Sequence, residues 1–177
     1  HQTLGVIGMG RTGQAVAARM ARGLNMRVIY YDIRDVQALA FAAEPRDSAE
    51  SVYSEADVVT LHVPETPATH GMIGREEIRA IKQGAYFINN SRGTVVDLEA
   101  LAEALREGRL RGAAVDVFPV EPRSNSERFV SPLQGLENVI LTPHIGGSTE
   151  EAQERIGAEV ARKLVDYSDS GSTMGAV

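Results

Sequence analysis

The 177-residue chain is long enough for one domain with a sizeable core, and with 43% hydrophobic and 24% charged residues it is ordinary for an α/β domain. Lys and Arg number 18 against 24 Asp and Glu, a net charge of -6 with no basic run, which argues against a nucleic-acid surface. Cysteine is absent, so there is no disulfide framework and no thiolate chemistry, and no apolar run approaches the roughly 18–20 residues a membrane helix needs.

The first predicted element is Leu4-Gly5-Val6-Ile7, a short apolar run of the kind that forms a strand buried on both faces. Gly8-Met9-Gly10-Arg11-Thr12-Gly13 follows it, and then Ala15, Val16, Ala18, Met20 and Leu24 continue at helical spacing with no proline before Pro45. A G-x-G-x-x-G alone is weak; between a strand and a helix it predicts a dinucleotide loop. Gly8 would make the tight turn, Gly10 would let the backbone approach a pyrophosphate, and Gly13 would let helix and strand pack closely. The N–H groups opening the helix would hold the phosphates. The alternative is a βαβ unit whose glycines serve packing alone.

The second strand, Arg27-Val28-Ile29-Tyr30-Tyr31, ends in Asp32, about 20 residues beyond Gly13, where such a fold places the acid that binds the adenosine ribose. A carboxylate there repels a 2′-phosphate and favours NAD over NADP, although Arg34 could soften that preference. Taken by itself, Asp32 could instead be a solvated strand-end acid.

Strand and helix keep alternating, which predicts a doubly wound parallel sheet, an α/β Rossmann dinucleotide-binding domain. A third strand is expected near residues 39–43, a short helix over 48–54, a strand over 57–62 and a helical turn or two over 76–81. Residues 85–89 read as a strand and 97–107 as an amphipathic helix, with Leu98, Leu101, Ala102 and Leu105 inward and Gly108 near its end. Strands follow at 112–115 and 138–141, then a helix over 149–165 capped by Ser148 or Thr149. Residues 121–135, rich in Pro, Ser and Asn, read as one long loop, and residues 168–177 as a linker.

Polar groups cluster at the carboxyl ends of these strands, where open α/β sheets bind ligands. His62-Val63-Pro64 follows one, Asn89-Asn90-Ser91-Arg92-Gly93-Thr94 another, Asp116-Val117-Phe118-Pro119-Val120-Glu121-Pro122 a third, and Thr142-Pro143-His144-Ile145-Gly146-Gly147-Ser148 the last. With the Gly8 to Gly13 loop, these segments make the chain resemble the NAD-binding domain of the D-isomer-specific 2-hydroxyacid dehydrogenases, over residues 4–177. A narrower likeness, to members that oxidise 3-phospho-D-glycerate to 3-phosphohydroxypyruvate at the first step of serine synthesis, rests on Ser124-Asn125-Ser126, Ser131-Pro132-Leu133, the segment from His144 to Thr149, and Glu151-Ala152-Gln153.

The resemblance implies roles for matching residues. His144 would be the general acid/base, Glu121 would hydrogen-bond its other ring nitrogen, and Arg92 would hold the substrate carboxylate. Cofactor-binding positions would be Gly8, Gly10, Arg11, Thr12, Gly13 and Asp32, with His62, Val63, Pro64, Ser91, Arg92, Asp116, His144, Gly146 and Gly147 in the later loops. Taken singly, His144 could cap a loop, Arg92 could contact a phosphate or join an ion pair, Glu121 could be a solvated loop acid, and Asp116 could make a strand-end hydrogen bond; Gly146 and Gly147 could serve close approach or a hinge. His70 and His1 read as surface residues.

The start, without an initiator Met, and the polar end suggest an excised domain at residues 1–177, lacking the flanking chain from which such enzymes build a substrate domain. It would bind NAD and turn over little. The resemblance also implies a homo-oligomer, a small-molecule substrate, no metal, no nucleic-acid or membrane partner, and a cytoplasmic setting. Left open are another 2-hydroxyacid dehydrogenase, such as a glyoxylate or hydroxypyruvate reductase, and an NAD-sensing corepressor-like binding protein. Serine feedback through a further C-terminal domain is a family trait outside these residues.

Overall fold

The computed structural model describes residues 1–37, 39–122, 124 and 126–173. They contain β1 (Thr3–Ile7), α1 (Arg11–Gly23), β2 (Arg27–Tyr31), β3 (Glu44–Pro45), α2 (Ala49–Glu55), β4 (Val58–Leu61), α3 (Arg75–Ala80), β5 (Tyr86–Asn89), α4 (Leu98–Arg106), β6 (Gly112–Val115), β7 (Val139–Leu141) and α5 (Glu150–Ser170). A 3-10 turn spans Gly93–Val95. The seven strands form one sheet in the order β3-β2-β1-β4-β5-β6-β7, every neighbouring pair parallel. The chain falls into two compact units, one over His1–Thr142 that holds the whole sheet and one beginning at Pro143.

All five residues of β1 are buried, as the continuous apolar run required. Side chains alternate across the sheet, so β1 and β2 supply two cores at once. Leu4, Val6, Val28 and Tyr30 pack with Ala17 and Met20 of α1. Ile7 and Ile29 belong instead to the larger core of Val52 and Tyr53 from α2, Ile78 from α3 and Leu101 and Leu105 from α4. Each such aliphatic side chain contributes about 1.5–3 kcal/mol when removed from water. Gly5 shows how near α2 lies: a Cβ there would sit 2.6 Å from Val52 Cγ1 and 2.7 Å from the Ala56 Cβ.

The expected strand over residues 39–43 does not form. Leu39, Phe41 and Ala43 are partly buried loop side chains packed on the α1 core, and the strand comes later, as the two-residue β3. Their apolarity reported burial, which does not require a ladder. Pro45 suits the sheet edge, where its missing N–H blunts further pairing.

The helix after β7 is longer than expected and takes in Ser168, Asp169 and Ser170, three residues of the predicted linker. Ser and Asp lower helix propensity by only tenths of a kcal/mol, whereas the left-handed Gly171, at φ 67°, ends the helix by donating its N–H to the Tyr167 carbonyl at 2.8 Å. Met174, Gly175, Ala176 and Val177 lie outside the described residues. The long loop is loop throughout its described part. It is fastened by Phe118 against Phe129, with ring centroids 4.7 Å apart, and by the Arg106 guanidinium donating to the Pro132 carbonyl at 3.0 Å. Asn125, one of the residues behind the narrower likeness, lies outside the described residues. No described helix is long and apolar enough to cross a membrane.

Candidate functional site

Because every strand is parallel, every strand's carboxyl end reaches the same edge of the sheet. The order of the strands reverses between β1 and β4, which opens a crevice at that edge. The glycine loop leaves β1 on one side of this point and His62-Val63-Pro64 leaves β4 on the other.

The three loop glycines have different reasons to be glycine. Gly8 has φ 91°, and a Cβ there would lie 2.6 Å from the His62 carbonyl oxygen. At Gly13 a Cβ would come within 2.1 Å of the Gly8 carbonyl oxygen. Gly10 meets nothing within 4 Å. Packing therefore accounts for the first and third, while the second faces open space. Ser48, Asp97 and Thr149 cap α2, α4 and α5, but no side chain caps α1 and no acidic residue stands in its first turn. The amino end of α1, with Arg11 and Thr12 exposed beside it, keeps its partial positive charge for an anion. An open Cα at Gly10 and an uncapped helix amino end fit a pyrophosphate.

Asp32 is not a solvated strand-end acid: its side chain is 9% exposed. Its Oδ2 accepts the Met9 N–H at 2.7 Å and its Oδ1 accepts the Arg34 N–H at 2.9 Å. The acid and the glycine loop are thus one piece. Arg34 is largely exposed, with Nε 3.9 Å from Oδ1.

His62 turns its ring inward, where Nε2 and the Thr60 hydroxyl lie 3.1 Å apart, and burial pushes its pKa down. Val63 packs on the core, and the Pro64 carbonyl accepts the Thr69 hydroxyl at 2.6 Å. Glu65 Oε1 accepts the Thr94 hydroxyl at 3.0 Å, which ties the loop after β4 to the loop after β5.

That second loop is organised by Asn89, which the sequence placed at the strand end without a role of its own. Its amide is fully buried and bonds to Ser91 and to the Arg92 carbonyl. The available signal was an asparagine closing an apolar strand, since a buried amide must find partners. Ser91 is buried, while Arg92 is exposed and extended, its Nη1 donating to the Ser91 carbonyl at 2.7 Å. Gly93 is obligatory, because a Cβ there would lie 2.0 Å from the Phe118 carbonyl carbon.

Asp116 donates its N–H to the Asn89 carbonyl at 3.1 Å, and its Oδ1 accepts the Thr142 hydroxyl at 2.5 Å. Thr142, a strand-end residue with no separate role in the sequence reading, donates its N–H to the Val115 carbonyl at 3.1 Å. The ends of β5, β6 and β7 are therefore linked in a row. Glu121 Oε1 accepts the Phe118 N–H at 3.0 Å, closing the turn after Asp116.

The first unit thus brings Gly8, Gly10, Arg11, Thr12, Gly13, Asp32, His62, Val63, Pro64, Ser91, Arg92, Asp116 and Glu121 to one sheet edge. His144, Gly146 and Gly147 belong to the second unit. There His144 is exposed at φ 51°, a left-handed conformation that costs a non-glycine residue about 1 kcal/mol or more. Ser148 donates its N–H to the Ile145 carbonyl at 2.9 Å, the Gln153 amide donates to the Gly147 carbonyl, and Thr149 Oγ1 caps α5 by accepting the Ala152 N–H at 3.2 Å. Neither Gly146 nor Gly147 has a neighbour within 4 Å of an added Cβ, so no close contact among the described residues requires them.

Residues 1–146 match the family model described as "D-isomer specific 2-hydroxyacid dehydrogenase, NAD binding domain". The chain is 55% identical over 174 residues to the D-3-phosphoglycerate dehydrogenase of Haemophilus influenzae and 52% identical over 174 residues to that of Escherichia coli K12. Each match covers 98% of this chain and 42% of the relative, so the chain spans less than half the length of these curated relatives. The NAD-complexed D-isomer specific 2-hydroxyacid dehydrogenase of Lactobacillus delbrueckii ssp. bulgaricus is similar in structure, with a TM-score of 0.83 and 30% identity over 97% of this chain and 54% of that one.

Proposed function

The chain belongs to the D-isomer-specific 2-hydroxyacid dehydrogenase family, as its NAD-binding domain, and we propose that it serves an enzyme that oxidises 3-phospho-D-glycerate to 3-phosphohydroxypyruvate in the first step of serine synthesis. The single observation behind this substrate is the 55% identity to a D-3-phosphoglycerate dehydrogenase across nearly the whole chain.

NAD supplies the hydride acceptor. The amino end of α1 and the open Gly10 hold its pyrophosphate, while Asp32 accepts hydrogen bonds from ribose hydroxyls and disfavours a 2′-phosphate. His62, Val63, Pro64, Ser91, Asp116, Gly146 and Gly147 complete the cofactor loops. Arg92 grips the substrate carboxylate, where a planar guanidinium meets two oxygens at once. His144 takes the hydroxyl proton as hydride leaves the same carbon, a task suited to imidazole because it titrates near neutrality. Glu121 accepts a hydrogen bond from that ring, fixing its tautomer and stabilising the imidazolium.

In this reading the 177 residues are one domain of a longer, homo-oligomeric, cytoplasmic protein, and a second domain supplies the groups for the substrate phosphate. The chain alone then binds NAD and turns over little, because hydride transfer needs a closed cleft that excludes water.

The test is NADH production by the full-length protein from NAD with 3-phosphoglycerate, beside D-lactate and D-glycerate, with product removed. Preference for phosphoglycerate is the expected result. Activity only with the other acids discards the serine-synthesis assignment, and tight NADH binding without turnover of any acid discards the enzyme in favour of an NAD-sensing binding protein.

A further inference from the structure

Asn89 ends β5 with its side chain 0% exposed, and each of its polar atoms is engaged. Oδ1 accepts both the Ser91 N–H at 3.0 Å and the Ser91 hydroxyl at 2.8 Å, while Nδ2 donates to the Arg92 carbonyl at 3.1 Å. Its backbone carbonyl takes the Asp116 N–H at 3.1 Å. One planar amide thus grips both residues of the Ser91-Arg92 step, and the same residue fixes the start of the neighbouring loop.

The residue after Arg92 is clamped as well. Gly93 lies so close to the Phe118–Pro119 peptide that a Cβ would fall 2.2 Å from the Phe118 oxygen and 2.5 Å from the Pro119 nitrogen. The backbone of Arg92 is therefore held by the amide before it and by the adjoining loop behind it. Its exposed guanidinium extends from a fixed base, so less conformational freedom remains to be lost when it meets an anion.

We propose that Asn89 is a positioning residue of the dehydrogenase reaction, acting through Arg92: its amide sets the height and direction from which the guanidinium meets the substrate carboxylate. This rests on the reading of Arg92 as the carboxylate anchor. The residue type follows from the geometry, because the site needs an acceptor for two Ser91 donors and a donor for the Arg92 carbonyl on one group. A side-chain amide carries both, on two atoms held in one plane at this reach. A carboxylate would keep the acceptor and set a second oxygen against the Arg92 carbonyl.

The test is a double-mutant cycle in the full-length enzyme with Asn89→Asp, Arg92→Ala and the pair, reading kcat, substrate KM, NADH affinity and thermal unfolding. The expected result is that Asn89→Asp lowers kcat/KM for substrate about tenfold or more, mainly through a raised KM, while NADH affinity stays within about twofold. In the Arg92→Ala background the same change should cost nothing further. Equal losses with and without Arg92, or an unchanged kcat/KM in the single variant, overturn the proposal while leaving Arg92 as the anchor. An Arg92→Ala enzyme of normal kcat/KM overturns the anchor reading and this inference with it. Should Asn89→Asp fail to fold, Asn89→Ser removes the amide's reach to the Arg92 carbonyl without adding a charge. A loss that also vanishes without Arg92 supports the inference, and one that persists overturns it.

Discussion

The carboxylate of Asp32 accepts the Met9 N–H at 2.7 Å, so the acid at the end of β2 holds the glycine loop at the end of β1. In the proposed NAD complex Asp32 would act both through the ribose and through the glycine loop that it holds in place.

Asp32→Ala in the full-length protein should therefore weaken NADH binding about tenfold or more, the scale set by one or two charged hydrogen bonds. NADPH, free of the carboxylate's repulsion, should lose less, so the gap between the two narrows. Fluorescence titration with both nucleotides measures this, and an unchanged ratio removes Asp32 from ribose recognition.

The contrast between Gly10 and Gly13 makes a paired prediction. A methyl at Gly13 collides with the Gly8 carbonyl at 2.1 Å, so Gly13→Ala should destabilise the fold by about 1–3 kcal/mol as the α1 amino end shifts. At Gly10 there is nothing within 4 Å, and φ -73° suits alanine. Gly10→Ala should keep the melting temperature and weaken NADH binding. Equal melting losses in the two variants would contradict this division of labour.

His144 sits at φ 51°, and asparagine is the non-glycine residue most at ease there. Asn is therefore the variant that removes the proposed proton acceptor and keeps the loop. In the full-length enzyme, His144→Asn should lower kcat by about 100-fold or more while NADH affinity holds. Near-normal turnover would take His144 out of the mechanism.

Asp57 joins β1 to the loop before β5. Its Oδ2 accepts the Thr3 N–H at 2.8 Å and Oδ1 meets Lys82 Nζ at 2.7 Å; the Lys82 hydrogen bond first, then that of Thr3, hold its pKa below the ordinary 3.8. A depressed folded pKa means stabilisation that is full above the unfolded value and lost as pH falls through the folded one. Asp57→Asn should thus cost about 1 kcal/mol at neutral pH and progressively less below about pH 4, as the wild-type carboxylate itself takes up a proton. Urea unfolding at pH 7 and pH 3 measures the difference, and a cost independent of pH would show that the charge plays no part.

The order of elements was legible along most of the chain because local signals agreed with one another. Apolar runs such as Leu4 to Ile7, the cap at Thr149 and the glycine at 108 each act within a few residues of themselves. Where burial and pairing part company the reading slipped, as at Leu39 and Phe41, whose apolar side chains fill the α1 core from a loop. The Ser-Asp-Ser end of α5 slipped for a related reason, because weak propensity does not outweigh a helix already propagating toward its glycine cap.

By itself the sequence determined the alternating parallel architecture, the dinucleotide loop and the residue types available at the strand ends, since periodicity, glycine spacing and chemical identity are properties of neighbouring residues. Only the tertiary structure decided which groups hold which. That Asp32 grips Met9, that Gly93 is forced by Phe118 and that Asp116 takes the Thr142 hydroxyl all depend on strands far apart in the chain lying side by side. Hydrogen bonds and steric limits act over a few ångströms, and until the sheet sets those distances nothing local specifies the partner.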